Sequence, residues 1–578
     1  MSKFVIYQVL PRLFGNYKTK NKYDGTIEEN GCGKFNSFTT KALNEIKSLG
    51  TTHIWYTGVI EHATKTNYSA YGIRQSHPAI VKGRAGSAYA IKDYYDVDPD
   101  LAVNVDNRMA EFENMVKRTH AADMKVIIDF VPNHVAREYH SDVKPKGVTD
   151  LGEKDNPDWA FSPSNNFYYI PNQKFTPQFD IDGYNEFPAK ASGNDVFNPS
   201  PTINDWYETV KLNYGVNYME GKQKQFDPIP DTWHKMLDIL LYWASKKIDG
   251  FRCDMAEMVP VEFWGWAISR VKKEYPHIIF IAEVYNPAEY RNYICNGKFD
   301  YLYDKVGLYD TLRNVTSRNH PVRNITYAWQ QLGGIEDNML NFLENHDEQR
   351  IASGFFAGDG IYAQPAMIVA ATLTKAPVMI YFGQELGELG MDNEGFSGVD
   401  GRTTIFDYWG VKSIQAWANK GKFDGKDLTN EQLELREFYK KLLNVTMNEK
   451  AITEGVMYDL EFANYDNPKF NSHEQFAYFR KYEDDLLLFA LNFHDKNLDT
   501  EIRIPAEAFQ FLGINENENY KCVNLLDEKE ELPDITLSSA EVFKVYLPAW
   551  KGKIIKLIKT SKGQKQNNTT SKTKALGI

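Results

Sequence analysis

The chain has 578 residues, 42% of them hydrophobic and 25% charged, which is too long for one compact core and predicts two to four domains. Its formal net charge of -12 disfavours nucleic acid as the main partner, because phosphate binding requires a positive surface. No apolar stretch approaches the roughly 20 residues that a membrane-spanning helix needs, so no membrane partner is expected.

The N-terminal segment predicts a strand and not a secretion signal. Residues 1–15, MSKFVIYQVLPRLFG, mix apolar side chains with Tyr and Gln and end without a small-residue cleavage site. We therefore expect a cytoplasmic protein, unless a leader was removed. The four cysteines are widely scattered and form no CxxC pair, which argues against a disulfide framework or a zinc site.

Eight short apolar runs alternate with helical patterns. The runs are FVIYQVL (4–10), HIWYTGVI (53–60), KVIIDFV (125–131), IDGFRCDMA (248–256), HIIFIAEVY (277–285), the weaker FDYLYDKV (299–306), MLNFLENHD (339–347) and APVMIYFGQE (376–385). Such runs are typical of parallel strands covered by helices. The pattern predicts an α/β fold, a (β/α)8 TIM barrel. A doubly wound open sheet is the alternative, but no Gly-rich GxGxxG turn follows the first run.

The spacing of the runs divides the chain further. The barrel is expected over residues 1–134 and 206–450, interrupted after the third strand by an inserted subdomain over 135–205, which is rich in Asn, Pro, Asp and Phe. Thr429 and Gln432 predict a capping box for the last barrel helix. Alternating residues over 451–558 predict a C-terminal all-β sandwich, and 559–578 a flexible tail.

Polar residues end several of the predicted strands, at the barrel face where chemistry is expected. They are Asp129 to His134 after the third strand, Arg252 to Asp254 in the fourth, Glu283 in the fifth and Glu344 to Asp347 in the seventh. One such carboxylate can cap a helix. Several carboxylates with two histidines and an arginine at one mouth are hard to explain as caps, which predicts a catalytic site.

Two of these carboxylates suit opposite roles. Strand alternation places Arg252 and Asp254 on the same side, and an arginine favours the ionised form that a nucleophile needs. Glu283 follows the apolar run IIFIA, where desolvation favours the protonated form of an acid. Adjacent strands lie about 4.8 Å apart, compatible with the roughly 5–5.5 Å carboxyl separation of a retaining glycosidase.

The strand-end motifs resemble those of the α-amylase family of glycoside hydrolases. They are DFVPNH (129–134), GFRCD (250–254), AEVY (282–285) and ENHD (344–347), with the minor signatures SAYAIKDYYDVDP (87–99), KLNY (211–214) and PVMIYFGQE (377–385). The resemblance covers residues 4–550 and implies a retaining α-glucoside hydrolase that acts on an α-glucan or a maltooligosaccharide.

The resemblance also implies a role for each site residue. Asp254 is expected to be the nucleophile, Glu283 the acid/base, and Asp347 the group that distorts the sugar and stabilises the transition state. The expected substrate-binding residues are Tyr89, His134, Arg252 and His346, whereas Asp129 and Asn133 look mainly structural.

No cofactor is expected, although calcium stays possible. Relatives carry a Lys-His pair after the nucleophile that helps to hold a structural calcium, whereas this chain has Glu257 and Met258 there. Lys34 stands where a second calcium loop would be acidic, so the usual ligands are not recognisable.

Three functions remain open at this point. Hydrolysis is the first, and transfer or isomerisation with the same chemistry is the second. The third is a non-catalytic binding subunit, which the three intact carboxylates disfavour. The sequence gives no basis for an oligomeric state.

Overall fold

Eight parallel strands close into a barrel, as the apolar runs predict. The computed structural model of the protein describes residues 3–560. The strands are β1 (Val5–Val9), β2 (His53–Tyr56), β3 (Lys125–Phe130), β4 (Gly250–Cys253), β5 (Ile279–Ala282), β6 (Tyr301–Tyr303), β7 (Met339–Phe342) and β8 (Val378–Tyr381). They pair in the closed order β1-β8-β7-β6-β5-β4-β3-β2. The prediction of a barrel is therefore confirmed, and the alternative of a doubly wound open sheet is wrong.

Both faces of the barrel strands are buried. One set of alternate side chains, including Ile6, Trp55 and Leu340, forms a core inside the barrel. The other set, including Val5 and Ile54, packs against the surrounding helices. Both alternating sets of side chains are apolar because neither face of the strands is exposed to water.

Helices surround the barrel. They span Thr40–Lys47, Arg108–Ala121, Asp231–Ser245, Val261–Glu274, Tyr290–Cys295, Asp310–Thr316, Asn324–Leu332, Gln364–Thr372, Lys412–Ala418 and Asn430–Asn448. Thr429 caps the last of these with the predicted capping box to Gln432. Within residues 3–560, no helix is long and apolar enough to cross a membrane.

The segment after β3 folds over one side of the barrel mouth with little regular structure. Its short strands are His134–Ala136, Tyr169–Ile170, Ala189–Lys190, Thr209–Lys211, Val216–Asn217 and Gln223–Lys224. Thr209–Lys211 pairs with His134–Ala136 and not with a barrel strand. The chain therefore returns to the barrel later than residue 205, the expected end of the insertion. A three-residue strand leaves no pattern in the sequence from which this could be predicted.

The C-terminal strands form the predicted sandwich. Six strands make one antiparallel sheet: Val456–Asp459, Gln475–Tyr482, Asp485–Asn492, Gly552–Lys559, Glu518–Asn524 and Ile535–Leu537. A two-stranded sheet of Leu498–Arg503 and Val542–Leu547 shares a hydrophobic core with it. The second and third strands form a hairpin whose turn is Glu483 and Asp484, because Asp485 already pairs with Tyr482. Of the predicted tail, Lys559 ends a strand and residues 561–578 lie outside the described residues.

Candidate active site

The carboxyl ends of the barrel strands surround a cavity of about 550 Å³. Of the seven residues predicted for the site, five line this cavity: Tyr89, His134, Asp254, Glu283 and Asp347. The other two residues are buried: Arg252 contacts Asp254 and Glu283, and His346 contacts Tyr89 and Asp347. The structure therefore brings all seven residues together.

Strand register explains why the charged groups meet. Arg252 in β4 is the register neighbour of Asp129 in β3. Asp254 and Glu283 each follow the last residue of their strand. The Asp254 amide donates to the carbonyl of Phe130 at 2.9 Å, and the Glu283 amide donates to the carbonyl of Cys253 at 3.1 Å. The ladders thus continue past the strand ends and fix the backbone of both carboxylates.

Arg252 lies between the two central carboxylates. Its Nη1 is 2.8 Å from Asp254 Oδ1, and its Nη2 is 2.8 Å from Glu283 Oε2. Tyr303 accepts a hydrogen bond from Nε at 3.1 Å. Arg252 therefore contacts Glu283, which follows the neighbouring strand β5, as well as Asp254, which the sequence places beside it.

Glu283 has two hydrogen-bond donors besides its contact with Arg252. The backbone amide of Met255 donates to Oε2 at 2.8 Å, and the Tyr285 hydroxyl donates to Oε1. Met255 adopts the left-handed region with φ of 43°, which costs energy for a residue with a Cβ. This conformation directs its amide toward Glu283 immediately after Asp254.

Asp347 and His346 form a second group, joined to Tyr89. His346 Nδ1 lies 2.8 Å from the side-chain nitrogen of Gln8, and the other ring nitrogen is Nε2. That nitrogen lies 2.5 Å from the Tyr89 hydroxyl and 3.1 Å from Asp347 Oδ2. The rings of Tyr89 and His346 stack with centroids 5.1 Å apart. The Tyr89 ring is thereby fixed at the cavity wall.

Asp129 lies below the cavity and is surrounded by donors. It accepts from Trp55 Nε1 at 3.0 Å, from the Gly58 amide at 3.4 Å and from the Tyr89 hydroxyl at 3.4 Å. It does not line the cavity. This arrangement supports the mainly structural role expected for it.

Burial dominates the ionisation of the site. It raises the pKa of Asp254 well above the ordinary value, against the opposing charge of Arg252. Burial, followed by the charge of Glu283, raises the pKa of Asp347 to about 7, although 32% of that side chain stays exposed and water in the cavity opposes the rise. Burial, followed by Arg252, lowers the pKa of His346, which is therefore neutral.

Several contacting residues were missed by the sequence analysis. Gln8 is the one amide in an otherwise apolar first strand, and Tyr285 follows Glu283 by two residues and so lies on the same side. The amide in the first strand and the two-residue spacing are both visible in the sequence and could have identified these two residues. Trp206, whose ring centroid is 5.2 Å from that of His134, comes from the irregular insertion and could not be found by periodicity.

The residues at the positions of the relatives' calcium sites have other partners here. Glu257 Oε2 accepts the backbone amides of Tyr285 and Asn286, each at 3.1 Å. Lys34 Nζ donates to the carbonyl of Asp100 at 2.5 Å. Within the described part of the chain, no three His, Cys, Asp or Glu side chains are grouped as a metal site. These residues do not fit the calcium sites that the resemblance suggested.

Comparison with known proteins places this barrel and its site in one class. The family model for the α-amylase catalytic domain matches residues 8–512. The chain therefore belongs to the α-amylase family.

Individual relatives are distant. The chain is 26% identical over 427 residues to an α-amylase of Streptomyces lividans, covering 66% of this chain and 43% of that protein. It is 22% identical over 401 residues to a cyclomaltodextrin glucanotransferase of Bacillus licheniformis, covering 66% and 48%. The crystal structure of the Geobacillus thermoleovorans α-amylase complexed with acarbose superposes with a TM-score of 0.62 at 19% identity, covering 96% and 99%. The chain thus spans less than half the length of both curated relatives.

Proposed function

We propose that the protein hydrolyses α-glucosidic bonds, mainly α-1,4 bonds, in maltooligosaccharides or starch-like glucans, with retention of configuration. The observation that carries this proposal is the shared contact of Asp254 and Glu283 with Arg252. Two carboxylates that each lie 2.8 Å from one guanidinium are neighbours in the site, which is compatible with the separation of about 5–5.5 Å in retaining enzymes.

In this mechanism each carboxylate has a separate task. Asp254 attacks the anomeric carbon and forms the glycosyl-enzyme, while Glu283 gives its proton to the departing oxygen. Glu283 then takes a proton from the incoming water, which releases the sugar from Asp254. Asp347 stabilises the positive charge that develops on the sugar ring, because its carboxylate faces the same cavity.

Three further residues would hold the sugar. His134 supplies a neutral ring N–H group for a sugar hydroxyl, the Tyr89 ring offers a flat apolar face beneath the sugar, and His346 would bind a hydroxyl only by exchanging its contacts with Tyr89 and Asp347. Arg252 keeps both central carboxylates in position.

A second cavity adjoins the active-site cavity and shares lining residues with it. Beyond the active-site cavity, Phe396 and Phe406, with ring centroids 5.0 Å apart, also line a second cavity of about 460 Å³ that contains Glu394. Arg402 connects this part to the site, since its guanidinium lies 4.1 Å from the Phe396 ring centroid and donates to the Asp347 carbonyl at 3.4 Å. Aromatic faces with nearby polar groups suit consecutive sugar units.

Transfer to a second sugar is the other candidate function. Trp206 and Ile203, the latter 57% exposed, line the cavity and offer an apolar surface to an acceptor sugar. An acceptor hydroxyl in place of water would take the glycosyl group from Asp254.

A cytoplasmic location remains a prediction from the sequence.

Product analysis tests the proposal and separates the two candidates. Thin-layer chromatography after incubation with maltooligosaccharides, pullulan, sucrose and isomaltose should show shorter maltooligosaccharides as the first products. Products longer than the substrate would indicate transfer. Asp254→Asn is the matched control for contaminating activity, and no cleavage of any of these substrates by the wild type would refute the proposal.

We expect the acidic limb of the pH profile to lie higher than that of an ordinary aspartate. The nucleophile works ionised, and its pKa is raised above 3.8 by burial and by the negative charges of Glu283, Asp129 and Asp347, with Arg252 opposing. Lowering the pH therefore protonates Asp254 early and removes activity. The measurement is kcat/KM against pH, which reports the free enzyme, with apparent values that belong to the coupled group. Full activity maintained down to pH 4 would contradict this assignment.

We expect no metal requirement. Two carboxylates and a bound sugar suffice for the chemistry, and Lys34 and Glu257 are engaged with backbone groups. Dialysis against EDTA should change neither the activity nor the Tm. A drop in either that added calcium restores would show that oxygen ligands from other parts of the chain form a site.

A further inference from the structure

The ammonium group of Lys211 is buried between the barrel and the inserted segment. The residue is 2% exposed and ends the short strand Thr209–Lys211. Its Nζ lies 2.6 Å from Asp195 Oδ1 and donates to Asn133 Oδ1 at 2.6 Å. Burial of a lysine is costly unless it is paired, and none of the catalytic steps above uses it.

Lys211 determines which way the Asn133 amide points. Because an ammonium has only donors, the atom of Asn133 that faces it must be the oxygen. The Asn133 nitrogen then donates to the Gly193 carbonyl at 2.8 Å and lies 3.2 Å from His134 Nδ1. An amide nitrogen cannot accept, so His134 Nδ1 must be the acceptor of that contact.

We propose that Lys211 is a positioning residue that, through Asn133, holds His134 as the tautomer with its proton on Nε2, available to a substrate hydroxyl in the cavity. This inference rests on the proposed function for the identity of the hydroxyl, but not for the tautomer. His134 lines the cavity, whereas Lys211 and Asn133 do not. Lys211 therefore acts on the substrate only through the other two residues.

The charges around His134 agree with a neutral ring. Burial is the main cause that lowers the pKa of His134 to about 3, and the positive charges of Lys211 and Lys82 add to it, while the nearby backbone of Tyr89 opposes the shift. Asp195 neutralises Lys211, and Glu208 lies 3.1 Å from Lys82 Nζ. A neutral imidazole has one donor and one acceptor, so its function depends on which nitrogen carries the proton.

The first test is spectroscopic and needs no substrate. A long-range 1H–15N correlation spectrum of the histidine-labelled wild type, with the His134 signals identified by their loss in His134→Gln, reports the tautomer. We expect a protonated Nε2 and an unprotonated Nδ1. A proton on Nδ1 in the wild type overturns the proposal, whether or not the enzyme cleaves glucans.

The second test uses Lys211 variants. Lys211→Met should raise KM for a maltooligosaccharide about three- to ten-fold, the effect of one hydrogen bond, with a smaller change in kcat. Lys211→Arg, which keeps a cationic donor, should restore most of the affinity. A role in folding alone would lower the Tm and the active fraction without this division between KM and kcat.

Lys224→Met is the matched control, because Lys224 lies in the same insertion but is exposed and pairs with Glu262 at 2.6 Å. It should leave KM unchanged. A folded Lys211→Met protein with wild-type KM and an unchanged His134 spectrum refutes the proposal. If that variant does not fold, Lys211→Arg with an altered His134 tautomer, or a wild-type proton on Nδ1, still refutes the proposal.

Discussion

We expect Glu283→Gln to lower kcat on a maltooligosaccharide by about 10²–10⁴-fold, the usual contribution of general acid catalysis. Glutamine keeps the shape of the side chain and can accept from the Met255 amide, as Glu283 Oε2 does. It has no proton to give to the departing oxygen and cannot activate water afterwards. The loss is measured by steady-state kinetics, with circular dichroism unchanged from the wild type.

The control is Glu257→Gln, a carboxylate on the neighbouring loop that accepts only the backbone amides of Tyr285 and Asn286 in the structure. We expect it to keep most of the activity. A substrate with an acidic leaving group should also recover the glycosylation rate of Glu283→Gln, since such a group departs without a proton. If Glu283→Gln keeps more than about a tenth of the wild-type rate, corresponding to about 1.4 kcal/mol, Glu283 is not the acid.

The barrel could be predicted because its physical pattern is simple. Each strand is a short apolar run that is buried on both faces. The helix Arg108–Ala121 buries Phe112, Met115, Val116 and Thr119, which recur at helical spacing along one face. The insertion could not be predicted in the same way. Its strands of two or three residues, such as Thr209–Lys211, depend on partners far away in sequence.

The grouping of the site could also be predicted, because strand ends of a parallel barrel meet at one face. What the sequence could not show is the side-chain geometry across strands. Arg252 reaches Glu283 as well as Asp254 only because β4 and β5 are neighbours with a defined register. Lys211 lies in a predicted motif, yet its contact with Asn133 spans 78 positions and leaves no local signal.

We expect Asp254→Asn to abolish activity on every substrate, including those with good leaving groups. The amide is a poor nucleophile, so no glycosyl-enzyme can form, and a leaving group that bypasses Glu283 does not help. A good leaving group should therefore restore activity to Glu283→Gln but not to Asp254→Asn, which distinguishes the two variants. Both variants keep Arg252. Residual turnover of Asp254→Asn that resembles that of Glu283→Gln would place the nucleophile elsewhere.

The stereochemistry of the wild type tests the same assignment without a mutation. Attack by Asp254 inverts the anomeric carbon, and attack by water activated by Glu283 inverts it again, so the first product released has the α configuration. Proton NMR in the first minutes, before mutarotation, detects it. A fluorinated glucosyl donor that slows the second step should label Asp254, which peptide mass spectrometry can locate. If the β-anomer appears first, water attacks the sugar directly, the carboxylates stand about 6.5–9.5 Å apart in the working enzyme, and the assignment of Asp254 as the nucleophile is wrong.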